Sequence, residues 1–180
     1  YNQGTNVAWE QLLNVNNFSR TTLDGSAYVT AVIPYGFELT VRGQYYRNKT
    51  NTKEYNNNIV GSQKGSGMFS KYFYAYKSHT FQQTLSWNHD YDYHHIDVLL
   101  AHENYNYEQE YDFVRKAQQL LEGHLELNNF SDIQYANSGS LQRRVESYLA
   151  RARYNYAQKY YGEFSVRRDG SSRFSKDNRW

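Results

Sequence analysis

The chain has no cysteine, one proline and one methionine in 180 residues. Without cysteine there is neither a disulfide scaffold nor a thiolate metal site. No run approaches the roughly 18 consecutive apolar residues that a membrane-spanning helix requires, which excludes a helical membrane protein. Charge of one sign is also missing. Lys and Arg number 20 against 18 Asp and Glu, a formal balance of +2, with the two signs interspersed. No basic block calls for nucleic acid.

What is present is tyrosine, 20 residues of it, in a chain whose mean hydropathy is -0.95. Such a composition is strand-like and aromatic yet polar on average. It suits a sheet in which only alternate residues meet an apolar surrounding.

The stretch from Ser147 to Trp180 makes that pattern explicit. Tyr148, Ala150, Ala152, Tyr154 and Tyr156 fall on one face, and Leu149, Arg151, Arg153 and Asn155 on the other. A period of two is a strand. After Ala157-Gln158-Lys159 the alternation resumes, with Tyr160, Gly162, Phe164 and Val166 against Tyr161, Glu163, Ser165, Arg167 and Asp169. The two runs predict a hairpin. A soluble core favours Leu, Ile and Val over Tyr, whereas this apolar face carries Tyr at its ends and small or aliphatic residues between. A transmembrane β-barrel asks for that order, with aromatic girdles at both interfaces and a lumen that tolerates charge. On this reading Tyr148, Ala150, Ala152, Tyr154, Phe164 and Val166 face lipid. Arg151, Arg153, Glu163, Arg167 and Asp169 face the lumen.

The ordered run S-Y-L-A-R-A-R-Y-N-Y (from Ser147), R-R-D-G-S-S-R-F (from Arg167) and N-R-W (from Asn178) closely resembles the strand-and-loop signature of SusC/RagA-type TonB-dependent outer-membrane transporters. The segment H-L-E-L-N-N-F-S, His124 to Ser131, resembles a motif that precedes it in that family more loosely. Upstream of about His79 the likeness rests on pattern alone. The resemblance implies import of oligosaccharides or peptides, a SusD-like surface lipoprotein as lid, energy from a TonB complex, contact with outer-membrane lipid, and no catalysis or cofactor. An exported protein without a signal peptide is expected to be trimmed or internal. About six strands cannot close a 22-stranded, plugged barrel, so residues 1–180 are expected to be a fragment of its wall, without plug domain or remaining strands.

Along the chain, Tyr1 to Arg20, with its five asparagines, predicts a surface segment with a short helical or irregular turn. Thr21 to Ile33 reads as a strand whose facing is open, since both of its faces carry apolar residues. Pro34-Tyr35-Gly36 is a tight turn, followed by a strand with Phe37, Leu39, Val41, Gly43 and Tyr45 on one face. Asn48 to Gly67 reads as a long polar loop. A long strand follows from Met68, a turn at Asp90 to His94, and a return strand through Ile96, Val98 and Leu100. Tyr111, Val114, Gln118 and Leu121 stand at helical spacing and predict a short helix inside a second long loop, Tyr107 to Ser140. The whole is an all-β, antiparallel up-and-down meander of about six long strands. Its short turns, near Gly36, Tyr91 and Gln158, are expected to be periplasmic, and its long loops, with the tail after Gly170, extracellular.

Other constellations carry less chemistry. His94 and His95 are adjacent in a strand, point to opposite faces and cannot serve one metal, so turn histidines in water are expected. Glu103, Glu108, Glu110 and Asp112 read as solvated carboxylates. Asp90 and Asp92 lack the glycine and distal glutamate of a calcium loop. The run Gly61 to Gly67 lacks the ending of a phosphate loop and reads as a flexible linker. Tyr72, Tyr74 and Tyr76 either stack on a substrate sugar or stiffen a protruding hairpin. In the closing hairpin, like faces must pair. Tyr156 is therefore expected opposite Tyr160, Tyr154 over Gly162, and Arg153 opposite Glu163. The competing reading is a soluble β-sandwich, a carbohydrate-binding module with a tyrosine platform.

Overall fold

Runs poor in proline, with aromatic and β-branched residues at alternate positions, satisfy their backbone N–H and C=O groups by pairing with the next run. Six strands result: β1 Val15–Ile33, β2 Phe37–Asn56, β3 Met68–Tyr91, β4 His94–Gln119, β5 Phe130–Tyr156 and β6 Tyr160–Ser171. They form one antiparallel sheet in the order β1-β2-β3-β4-β5-β6, in a computed structural model that describes residues 7–175 and 178–180. A β-sandwich needs a second sheet packed on the first. The described residues make a single sheet, so that reading is set aside. No described helix is long and apolar enough to cross a membrane.

One expected element lies elsewhere. Tyr111 to Gln119 continues β4 as strand, and the α-helix, α1, is Val7–Leu13, inside the segment where a short helical or irregular turn was expected. The first six residues of that segment lie outside the described ones, as do two positions of the tail. The helical spacing at Tyr111 was fortuitous, because Tyr105, Tyr107, Gln109, Tyr111 and Phe113 alternate equally well and pair with neighbours on both sides. Both long loops shrink for the same reason. Residues 48–56 belong to β2, 107–119 to β4 and 130–140 to β5. Polar residues on both faces hid their period.

The hairpin register agrees with expectation at Tyr156↔Tyr160, Tyr154↔Gly162 and Arg153↔Glu163, and continues through Ala152↔Phe164 and Ala150↔Val166. The ring of Tyr154 does not cover Gly162, where an added Cβ would meet open space. It turns instead toward β4, where its hydroxyl lies 2.6 Å from His94 Nδ1.

The chain divides into two compact units. The first comprises residues up to Thr22, Asn48–Tyr76 and Gln109–Leu141. It contains the buried apolar side chains, with Phe69 1% and Phe130 0% exposed, their rings stacked 5.4 Å apart, and Ala117.

The second unit comprises Leu23–Arg47, Lys77–Glu108 and Gln142–Trp180. None of its described apolar side chains is buried; Val29 is 73% exposed, Phe164 67% and Val166 52%. The facing of β1 is settled here. Thr30 Oγ1 lies 2.9 Å from Thr40 Oγ1, and the Arg42 guanidinium sits over the Tyr28 ring. Even positions of β1 thus share the polar face of β2, and Leu23, Val29 and Ile33 join Phe37, Leu39 and Val41. Phe37 meets Trp87 at 6.0 Å and Tyr45 meets His79 at 4.9 Å, which adds Phe81, Leu85 and Trp87 to the same face.

Candidate functional site

The polar face of the second unit is a charged ladder. Arg153 Nε lies 3.4 Å from Glu163 Oε2, and the same atom lies 3.8 Å from Asp97 Oδ1, which Arg151 Nη2 approaches to 3.8 Å. Arg167 Nε donates to both oxygens of Asp169 at 2.9 and 3.0 Å, and its Nη2 donates to Ser147 Oγ at 3.4 Å. All five expected polar residues therefore share one face in two clusters. Asp97 Oδ1 and Arg151 Nε are buried without a hydrogen-bond partner. Separations near 3.8 Å are too long for direct hydrogen bonds and leave an electrostatic contact. Sequence reading missed Asp97, although its alternation against Ile96 and Val98 puts it on this face.

The opposite face carries Tyr148, Ala150, Ala152, Tyr154, Phe164 and Val166 together. Aromatic rings gather beside the hairpin turns: Trp87 stacks on His89 at 5.6 Å and donates Nε1–H to Tyr35 O, and Tyr156 stacks on Tyr160 at 6.4 Å. His94 joins this group, while His95 contacts Asp90 on the other face. The two histidines diverge as expected, but each has a specific partner. Glu108 likewise is no free carboxylate, since Lys77 Nζ lies 2.8 Å from it.

In the first unit, Tyr72, Tyr74 and Tyr76 form a ladder with rings 6.3 and 5.9 Å apart. Phe113 of β4 meets Tyr72 at 6.3 Å and Tyr135 of β5 at 5.5 Å, so the strip extends over three strands. Tyr72 and Tyr135 keep 38% and 49% of their surface open. The rings brace one another and also present a platform. The run Gly61 to Gly67 is not a free linker: Gly65 N donates to Asn58 O at 2.7 Å, and Gln119 N to Ser66 O at 2.8 Å.

The motif residues turn out to hold the connections. In H-L-E-L-N-N-F-S, the buried Asn129 donates from Nδ2 to Leu121 O and His124 O, both at 2.7 Å, and accepts from Leu121 N at 3.0 Å. Phe130 enters the core. Glu126 bridges Lys53, at 3.3 Å, and Lys71. At the chain's end, Ser172 exchanges hydrogen bonds with the backbone of Arg144, and Trp180 packs on Gly170, where an added Cβ would come within 2.9 Å of the indole. These spacings in the signature are those of loop anchors.

Hydrogen bonds from Lys71 and Lys53 hold the Glu126 carboxyl below its ordinary range. A depressed folded value means the contribution is present above about pH 4.3, the unfolded value, and is lost as pH falls through the folded one. Amide exchange at Leu127 to Phe130, corrected for intrinsic rate, is expected to quicken as pH drops below that point. In Glu126→Gln it should stay flat. An identical pH response in both proteins would show that this bridge does not hold the loop.

A single meander with one apolar, uncovered face and one charged face in its second unit is the arrangement found in the wall of a transmembrane β-barrel. Solved structures show the same fold. A chain of the RagAB peptide transporter matches with a TM-score of 0.89 at 19% identity, over 99% of this chain and 21% of that one. The RagAB peptide importer matches in its "open-open" state with a TM-score of 0.87 at 20% identity over 96% of this chain, and in its "closed-closed" state with 0.81 at 20% over 93%. The present chain thus spans about a fifth of the length of the chains it matches. No protein-family model and no curated protein matches it.

Proposed function

We propose that these residues form part of the barrel wall of an outer-membrane active transporter that imports peptides or oligosaccharides, energised through TonB and capped by a SusD-like lipoprotein. The observation that carries this reading is the uncovered apolar face of the second unit, backed by the charged ladder. In water a face bearing Phe164 and Val166 so exposed would be an aggregation surface; in lipid it needs no cover. The fold shared with RagAB structures supports the transporter class, and RagAB, a peptide transporter, favours peptide as the substrate. The plug domain and the other strands belong to the remainder of the protein. Arg151, Arg153, Glu163, Arg167 and Asp169, with Asp97, line the lumen. Tyr72, Tyr74 and Tyr76 are the candidate substrate platform.

The test is lipid exposure in the full-length protein in bilayers. Spin labels at Ala150, Ala152, Phe164 and Val166 are expected to be relaxed by lipid-soluble oxygen, and labels at Ser165 and Arg167 by a water-soluble nickel complex. The opposite pattern would reverse the facing, and water accessibility on both faces would end the barrel reading. Transport itself is tested by uptake of a labelled peptide pool against labelled oligosaccharides into cells with and without the intact gene.

A further inference from the structure

The apolar face of the second unit lies opposite the charged ladder. On the apolar face lies a slot of about 440 Å³. Leu39, Leu85, Leu100, Ala150 and Val166 line it, and Gln83, His102, Tyr148 and Arg168 close its polar end. Those closing groups form a built cluster. His102 Nδ1 lies 3.1 Å from Gln83 Oε1 and its Nε2 lies 3.1 Å from Glu146 Oε1, to which the Tyr148 hydroxyl donates at 2.8 Å. The Tyr148 ring stacks on His102 at 4.7 Å and meets Trp180 at 5.8 Å, and the Arg168 guanidinium lies 5.4 Å from the Trp180 ring centre.

Beyond Tyr148, a second cavity of about 310 Å³ is lined by Arg144 and Arg179 together with Asn104, Glu146, Ser171 and Trp180. The register continues the same face upward, with Tyr148 opposite Arg168 and Glu146 opposite Gly170. Arg168 lines the slot and Arg144 and Arg179 line the cavity beyond it, so three arginines lie toward the polar end. None of them makes an ion pair among the described residues, whereas the nearby carboxylates are engaged, Glu146 by His102 and Tyr148 and Glu108 by Lys77.

An apolar slot leading to arginines that hold no carboxylate in an ion pair among the described residues fits an amphiphile. Guanidinium forks match phosphate oxygens in geometry and charge. Tyr148 and Trp180 are the residue types that sit at the junction between hydrocarbon and headgroup. We propose that this site binds an anionic, phosphate-bearing lipid, one acyl chain lying in the slot and the phosphate held by Arg144, Arg168 and Arg179. The proposal rests on the membrane placement argued above and adds a specific lipid to it.

The test uses the full-length protein in nanodiscs of phosphatidylcholine doped with phosphorylated lipid A or with the same lipid dephosphorylated, bound lipid being counted by native mass spectrometry. The wild type is expected to retain the phosphorylated form about tenfold or more over the other, the scale set by a few charge-assisted bonds. The Arg144→Gln/Arg168→Gln double variant should lose that preference. Lys159→Gln, which removes a charge at the far hairpin turn, should keep it. Equal retention of the two lipids by the wild type, which involves no variant, would overturn the proposal. So would a double variant that enters nanodiscs with its preference intact. Release of the bound lipid by inorganic phosphate alone would overturn the lipid assignment in favour of a simple anion site. Failure of the wild type to enter nanodiscs at all would instead strike the membrane placement, and with it this site.

Discussion

Replacing Phe130 by alanine is expected to destabilise the first unit by about 3–5 kcal/mol, the range for removing a buried aromatic side chain. Phe130 is 0% exposed, stacks on Phe69 at 5.4 Å and receives the edge of Tyr55 at 6.3 Å. Neighbouring strands cannot collapse into the vacated space without breaking ladder hydrogen bonds, so the cavity would persist. The loss falls where stability is least spread out, because Phe69, Ala117 and Phe130 are the buried apolar side chains among the described residues. It should reach the connection at once. Asn129, next in the chain, ties Leu121 and His124 through its side chain, and a residue 130 no longer anchored in the core would loosen that knot. Limited proteolysis of the full-length protein should show new cleavage at residues 120–129, with a lowered unfolding midpoint in detergent. Phe18→Ala provides the comparison. Phe18 is 55% exposed, and its loss should stay within about 0.5 kcal/mol. If Phe130→Ala behaved like Phe18→Ala, the two stacked rings would not be the core of this unit.

The closing hairpin was legible in the sequence because both of its faces carry unlike chemistry. Alternation between Tyr or Ala and Arg leaves one register that pairs like faces and sets Arg153 against Glu163, and the strands adopt it. Residues 107–119 were illegible for the converse reason. There Gln109, Arg115 and Gln119 are polar on the face of Tyr107, Tyr111 and Phe113, and Val114 is apolar on the face of Glu108, Glu110 and Asp112, so the period of two loses contrast along the run and a chance helical spacing could compete with it. What decides for strand is the ladder to β3 and β5, which no window of sequence contains. The side-chain partners of His102 and Glu126 were hidden likewise. Their contacts, Gln83 and Glu146 for the one and Lys53 and Lys71 for the other, come from other strands of the chain. The tyrosine ladder was visible as an i, i+2 pattern, but its extension through Phe113 and Tyr135 depended on knowing which strands are neighbours.

The turn between β1 and β2 offers the second large effect, and three glycines separate its causes. Gly36 has φ +85, and a Cβ placed there would lie 2.0 Å from the carbonyl oxygen of Asn88. That oxygen belongs to the backbone of β3, which a side-chain rotation cannot relieve. Gly65 has a similar φ of +82 but open space around its Cβ position, and Gly162 has open space without a positive φ. Alanine at Gly162 should therefore cost nothing, and the lower chain entropy of the unfolded state could favour it by up to about 1 kcal/mol. Alanine at Gly65 adds left-handed backbone strain, about 1 kcal/mol or a little more. Alanine at Gly36 adds the same strain and a backbone collision, for roughly 2–5 kcal/mol in all. Tyr35, itself at φ 68, already occupies the left-handed region beside it. Its carbonyl accepts the Trp87 indole N–H at 3.0 Å, so any shift of the turn also breaks that bond. The expected order of folded yield after detergent refolding, read as the fraction of full-length protein whose gel mobility changes on heating, is Gly162→Ala, then Gly65→Ala, then Gly36→Ala, with the last far behind. Equal yields for Gly36→Ala and Gly65→Ala would mean that β1 and β2 can swing away from Asn88 without loss, and the close approach of this turn to β3 would not be part of the fold's stability.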